Sequence, residues 1–361
     1  MLELFLCTDR KKNTVLALER ICRAAAEGRG GQILVTPEQF SHAAERELCL
    51  RGGNTISRFA EVLSFSRLAS RVFSIEGGAA DSETDAGGRL LMMSLAVEQV
   101  RSRLKVFGSG AVKPEFLLRL IDTLEEFRSY CVTPADLRRA GQELSGVLAV
   151  KTEEFALLME SYASVRANCG QNPETRLNRL LAALETSDFA KDKTFYFDGF
   201  TDFNGIQREI LAQLLASGAP VQVFLTCGAL DAAAQQYEAA RETARQLLSA
   251  ARTQGIRTAV HDMEEPQDCA SLAFLRERLF AGGNVHFEGA QDAVSLRLAS
   301  DVRGECRWAA GEILRLIGTG ARWRDIALAY TDEASYRPVL ESLLRSAEIP
   351  AYFAGDRSLL Q

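Results

Sequence analysis

Histidine is scarce in this sequence and cysteine is never clustered. The three histidines, His42, His261 and His286, lie far apart, and the eight cysteines are nowhere closer than 15 positions. Structural zinc and iron–sulfur sites need ligands grouped at short spacing, so neither is expected within this chain, and neither is metal catalysis built on histidine. The thiols read as reduced core residues. Long apolar runs are missing too: charge interrupts every hydrophobic stretch within a few turns, well short of the roughly 20 residues a membrane helix requires. The N-terminus has no basic segment before its short apolar run and no small-residue cleavage site after it, so it reads as a first strand rather than a signal peptide. A soluble, cytoplasmic protein is expected. Lysine is rare as well, 7 against 35 arginines, and the net charge is −6. Arginine suits bidentate phosphate contacts, although a genome biased towards arginine codons gives the same ratio. An acidic balance argues against general nucleic-acid affinity but leaves a local basic groove open.

What is present is an ordinary globular composition, 47% hydrophobic and 25% charged over 361 residues, enough for two domains. The first seventy-odd residues alternate strand and helix: strands at 2–6, 33–36 and 54–57, and helices at 14–26, 40–50 and 65–73. This rhythm predicts a parallel sheet covered on both faces. From about 84 to 188 only helical patterns occur, at 89–106, 114–130, 134–144, 152–167 and 174–186, and three of them open at or near a proline, which a helix's first turn tolerates. Strands resume at 194–198, 221–226 and 256–260, interleaved with helices at 207–216, 234–251 and 270–279. A polar stretch, 282–292, precedes a new unit with strands at 294–299, 326–330 and 351–353 and helices at 305–317 and 335–347. The expected domains are therefore a first α/β domain in two parts (1–83 and 191–285), a helical insertion (84–190), and the start of a second α/β domain (286–361). Three strands and two helices leave sheet faces and edges uncovered, which suggests a fragment of something longer.

Two α/β domains, the first with a helical insertion, form the layout of superfamily 1 helicase motors. The segments Thr36-Pro-Glu-Gln-Phe, Glu61-Val-Leu-Ser-Phe-Ser-Arg-Leu-Ala, Tyr196-Phe-Asp-Gly-Phe-Thr-Asp-Phe and Glu348-Ile-Pro-Ala-Tyr-Phe-Ala-Gly, in order and in register, resemble the AddB/RexB component of bacterial helicase–nuclease complexes. The resemblance implies RecA-like motor domains, DNA as substrate, an AddA/RexA-type partner in a heterodimer, and work in double-strand break repair and recombination. It also implies a 4Fe-4S cluster and magnesium in a C-terminal nuclease domain that this sequence does not contain.

The nucleotide motifs of such motors are altered. A phosphate loop needs glycines for its backbone cradle, a lysine for the β- and γ-phosphates, and Ser/Thr for magnesium. After the first strand stands Cys7-Thr-Asp-Arg-Lys-Lys-Asn-Thr14, without glycine. Aligned on the following helix, Asn13 takes the lysine position and Thr14 is kept. Lys11 and Lys12 could attract an anion or form a solvated loop. Live motors place Asp-Glu after a later buried strand; here Asp198-Gly199 keeps only the metal-type carboxylate, and Asp-Gly is also a common turn. The arginine expected after the strand at 326–330 is Thr331. With lysine, glutamate and arginine all replaced, the resemblance implies no ATP hydrolysis by this region.

The DNA-facing segments match the family better, at Thr36, Gln39, Ser41, Ser64, Phe65, Ser66 and Arg67, where hydroxyls and amides would bind phosphates and an aromatic would stack on bases. Each has a plainer reading: Phe65 lies at helical core spacing with Leu68, Ala69 and Val72, Arg67 suits an ion pair, and Gln39 and Ser41 suit helix capping. Some AddB proteins use this surface to recognise Chi. A Trp found in some relatives three positions after the arginine is Ser70 here, which removes a stacking platform. Two rivals remain open: an active divergent helicase using Lys12, and a structural scaffold for the partner motor.

Overall fold

The computed structural model describes residues 1–77, 84–108, 113–172, 175–232, 234–263, 269–280, 283–290 and 293–354. Gly78, Glu174, Gly282 and Asp292, which bound sequence-predicted elements, lie outside these. The elements run β1 (Leu2–Leu6), α1 (Arg10–Ala26), β2 (Gln32–Val35), α2 (Glu38–Gly52), β3 (Ala60–Leu63), α3 (Phe65–Glu76), α4 (Ala86–Val100), α5 (Pro114–Ser129), α6 (Pro134–Gln142), α7 (Gly146–Asn168), α8 (Arg176–Thr186), β4 (Thr194–Asp198), α9 (Gly205–Ala216), β5 (Val221–Leu225), α10 (Glu238–Thr253), β6 (Thr258–Asp262), α11 (Ala270–Arg278), α12 (Val302–Gly318) and α13 (Glu333–Ser346). The chain divides into two units, residues 1–268 with 276–285, and residues 269–275 with 286–361.

In the first unit six strands form one sheet in the order β3-β2-β4-β5-β1-β6, with every pair parallel. Parallel neighbours need helical crossovers, and these bury both faces. The two-residue period of a strand divides its side chains between the faces. Leu2, Leu4 and Leu6 of β1 join one core with Phe195 and Phe197 of β4, under α3, α8, α9 and α10. Phe5 joins the other with Leu34, Tyr196 and Phe224, under α1 and α2, and stacks on Phe224 at 4.8 Å.

Helices α4 to α7 make a core of their own around Met93, Leu120, Ile121, Leu158 and Tyr162. Glu154 of α7 is buried within this bundle, and its carboxylate accepts the backbone N–H groups of Lys105 at 2.5 Å, Val106 at 2.9 Å and Phe107 at 2.8 Å. Helix α8, grouped by its sequence pattern with these helices, instead buries Leu180 and Leu184 in the sheet's core, beside α3 and α9.

Two sequence expectations need correction. The third strand is not at 54–57: Ile56–Arg58 is a 3-10 turn following Gly53, whose φ of 72° redirects the chain, and the strand is Ala60–Leu63. In the second unit α12 and α13 form as expected and share a core of Cys306, Ala310, Leu340, Leu344 and Ile349. The strands expected at 294–299, 326–330 and 351–353 do not form: among the described residues these segments are in no ladder. Alternation specifies which side chains share a face, but a strand also needs a hydrogen-bonded neighbour, and Leu296 and Leu298 stand 89% and 95% exposed.

Candidate nucleotide-derived site and nucleic-acid interface

In an open parallel sheet, ligands gather beyond the carboxyl ends of the strands. At those ends β1 and β4 are separated only by β5, so the residues after Leu6 and at Asp198 face one region. The segment expected to be a degenerate phosphate loop is scarcely a loop. Helix α1 begins at Arg10, four residues earlier than expected, because Asp9 is its N-cap: its Oδ1 accepts the backbone N–H of Lys11 at 2.8 Å and of Lys12 at 3.3 Å. These N–H groups at a helix N-terminus are the ones that would receive a phosphate. A carboxylate of the protein itself occupies them. Lys11 and Lys12 therefore belong to the first helical turn, with their side chains exposed.

Asn13, at the lysine position, is 1% exposed and works as a brace: its Nδ2 donates to the carbonyls of Cys7 at 3.3 Å and Leu225 at 3.0 Å, tying the ends of β1 and β5. Thr14 donates through Oγ1 to Oδ2 of Asp198 at 2.6 Å. Burial pushes the Asp198 carboxyl above the usual 3.8, outweighing the Thr14 hydrogen bond, the nearby Arg10 and the Gly199 N–H, which all act to lower it. The hydroxyl and carboxylate that would hold magnesium thus satisfy each other, and among the described residues no group of three or more His, Cys, Asp or Glu is arranged around a metal position.

Arg10 has no sequence expectation attached to it, and Gly199 is expected only as the residue in the glutamate position and as part of an Asp-Gly turn. Arg10 lays its guanidinium 3.7 Å from the Phe40 ring centroid, and Gly199 adopts φ +85°, a conformation that strains other residues, while a Cβ there would stand 3.2 Å from Arg10 Nη2 and 3.3 Å from Pro37 Cδ, close enough that both would have to shift by a few tenths of an ångström. Asp9 could have been read as an N-cap from residue type alone. The Arg10 contact joins residues 30 apart and has no local signature.

The predicted DNA-facing residues separate by exposure. Gln39, Ser66 and Arg67 are exposed, Arg67 lying 3.9 Å from Glu45. Ser41 is buried and donates to the Glu38 carbonyl at 2.8 Å; Ser64 is the N-cap of α3, accepting from Arg67 N at 3.3 Å. Thr36 is 2% exposed, and its Oγ1 is buried without a hydrogen-bond partner. Phe65 is a correction: at 6% exposure its ring sits among Phe197, Phe200 and Phe203, with centroids 5.9, 5.6 and 6.4 Å away, so it has no free face for a base. Ser70 receives a hydrogen bond from Arg176. Thr331 is exposed in the second unit, beside Asp332, the N-cap of α13.

An all-parallel six-stranded α/β sheet with a hydroxyl and a carboxylate meeting at its carboxyl ends is consistent with a RecA-like fold. The chain belongs to the family described as ADDB, N-terminal, whose sequence model matches residues 10–276. It is similar to the B subunit of the ATP-dependent helicase/deoxyribonuclease of Desulforudis audaxviator, with 30% identity over 95% of this chain and 31% of the relative. The proteins of the same name from Geobacillus thermodenitrificans and Geobacillus kaustophilus are 30% and 31% identical, each over 95% of this chain and 31% of the relative. The chain thus spans about a third of the length of these relatives. Among the described residues no helix is long and apolar enough to cross a membrane.

Proposed function

We propose that this chain is a helicase-derived region that does not hydrolyse ATP and instead holds the 3′-ended single strand of DNA, delivering it to nuclease chemistry elsewhere in a full-length helicase/deoxyribonuclease component that acts at double-strand breaks. In this reading residues 1–83 and 191–285 form a superfamily 1 RecA-like motor domain, 84–190 its insertion and 286–361 the beginning of a second. Translocation is driven by a partner of AddA/RexA type. The observation that carries the loss of hydrolysis is the Asp9 cap: a fixed carboxylate on the Lys11 and Lys12 N–H groups repels a triphosphate from the position where its binding begins. Asn13 adds to this, since its amide is committed to two strand ends and supplies no positive charge. Strand holding rests on the exposed Gln39, Ser66 and Arg67, side by side where the carboxyl ends of β2 and β3 lead into α2 and α3.

The test has two arms. ATP turnover by the chain, with and without single-stranded DNA, is expected at background; turnover abolished by Lys12→Ala would establish the divergent-helicase reading instead. Binding of a fluorescent single-stranded oligonucleotide across a salt series is expected to weaken as salt rises, and Arg67→Ala to lower both affinity and slope. A folded chain with no affinity at low salt would leave the scaffold reading in its place.

A further inference from the structure

The outer face of α3 is unusual for an acidic chain. Its inner face buries Phe65, Leu68, Ala69, Val72 and Phe73, while the outer face presents Ser66, Arg67, Ser70, Arg71 and Ser74, with no acid on the helix before Glu76, its last residue. The three serines recur every four residues, one per turn, about 6 Å apart along the axis at 1.5 Å per residue, and the two arginines form the adjacent ridge with the same spacing. Helix α8 packs alongside and adds two arginines from its first turn: Arg176 donates to Ser70, and Arg179 places its guanidinium 4.9 Å from the Phe73 ring centroid. Arg71 is half exposed and held by Glu61 at 2.9 Å, as Arg67 is held more loosely by Glu45.

We infer that the α3–α8 face is a phosphate track, along which the single strand held at Arg67 continues by way of Arg71, Ser74 and Arg176; the inference rests on the strand-holding reading above. The occupant is a nucleic-acid backbone because the face carries guanidinium groups at one-turn intervals beside serine hydroxyls that back-bond their own helix, Ser70 to the Ser66 carbonyl at 3.1 Å and Ser74 to the Arg71 carbonyl at 2.8 Å, and can rotate to a phosphate, with no unburied aromatic between Ser66 and Ser74 and only one large apolar side chain, Ile75, exposed at its far end. Such a surface matches a line of phosphates and has nothing with which to distinguish bases. From Ser66 to Ser74 the track runs about 12 Å along the helix, leading the strand away from the carboxyl edge of the sheet. Glu61 and Glu45 are the competing anions: in the absence of DNA they hold the arginines in place, and a phosphate displaces them.

The chain is titrated with a fluorescent deoxythymidine oligonucleotide of about 16 nucleotides, the upper end of the usual site size, across a salt series. Arg71→Gln and Arg176→Gln are each expected to weaken binding and to reduce the salt slope by about 0.7, the contribution of one phosphate contact on a single strand. Glu61→Gln, which frees Arg71, is expected to tighten binding. That gain cannot arise from damage to the fold. If Arg67→Ala weakens binding while Arg71→Gln and Glu61→Gln both behave as wild type, the track is refuted and the strand-holding reading stands. If the folded wild-type chain does not bind, both fall together.

Discussion

Glu154 offers the sharpest test of how the helical cluster is held. Its buried carboxylate takes three consecutive backbone donors, two on Oε1 (Lys105 and Val106) and one on Oε2 (Phe107), and so ties the segment after α4 to α7. Hydrogen bonds to a charged group are worth about 1.5–3 kcal/mol each, and bonds that share one carboxylate do not add in full. Truncation in Glu154→Ala removes all three and leaves donors that water reaches only in part, for an expected cost of about 3–5 kcal/mol to this cluster. Glu154→Gln keeps one carbonyl oxygen but turns an amide donor towards a backbone N–H, and should cost roughly half as much. Amide hydrogen exchange reads this residue by residue: protection at Lys105, Val106 and Phe107 should fall by about tenfold for each 1.4 kcal/mol lost, whereas β1 and β5, in the separate core of the sheet, should keep theirs. Unchanged exchange at these three amides in Glu154→Ala would refute the reasoning, and so would a Glu154→Gln variant as damaged as the alanine.

Phe65→Ala should cost about 3–5 kcal/mol by opening the aromatic cluster, while Phe65→Leu should leave DNA affinity at the wild-type level; selective loss of binding in a well-folded Phe65→Leu chain would return this ring to the interface. For Asp198 the raised carboxyl means that the protonated form is the one the fold prefers. Its stabilising contribution is complete below the usual 3.8 and is lost as pH rises through the folded value. Asp198→Asn should therefore be the more stable protein at neutral pH in urea titrations, with the difference closing on acidification; a variant less stable at pH 7 would show that the Thr14 bond outweighs burial. Asn13→Lys should not create ATP turnover, because Asp9 still caps α1, and it should lower the melting temperature by placing an ammonium where an amide is 1% exposed; hydrolysis by this single variant would contradict the account of the site.

Sequence pattern located the sheet through its short buried runs, since parallel strands covered on both faces read as nearly unbroken apolar segments, as Ile33 to Val35 and Val221 to Leu225 do. It failed at β3, where Glu61 interrupts a strand of four residues and a turn of similar length precedes it. In the second unit the alternation of Val294, Leu296 and Leu298 was real, but pairing depends on a neighbour that a local pattern cannot supply. At the site, residue types told which groups were missing. They did not tell what the replacements do: Asn13 bonds Leu225, 212 positions away, and that carbonyl is brought near only by the order of the strands.

That order has a consequence for how the chain is made. Of the six strands β1 comes first along the chain and pairs only with β5 and β6, so during synthesis no partner for it exists until more than two hundred further residues have been added. β2 and β3 can pair early, and α4 to α7 can close their own core from nearby sequence. During all that time the apolar Leu2, Leu4 and Leu6 have no sheet to enter. Because non-local parallel pairing is slow and leaves strand edges open, β1 is left open to mispairing during synthesis, and it stays so until β5 arrives to join it to β4.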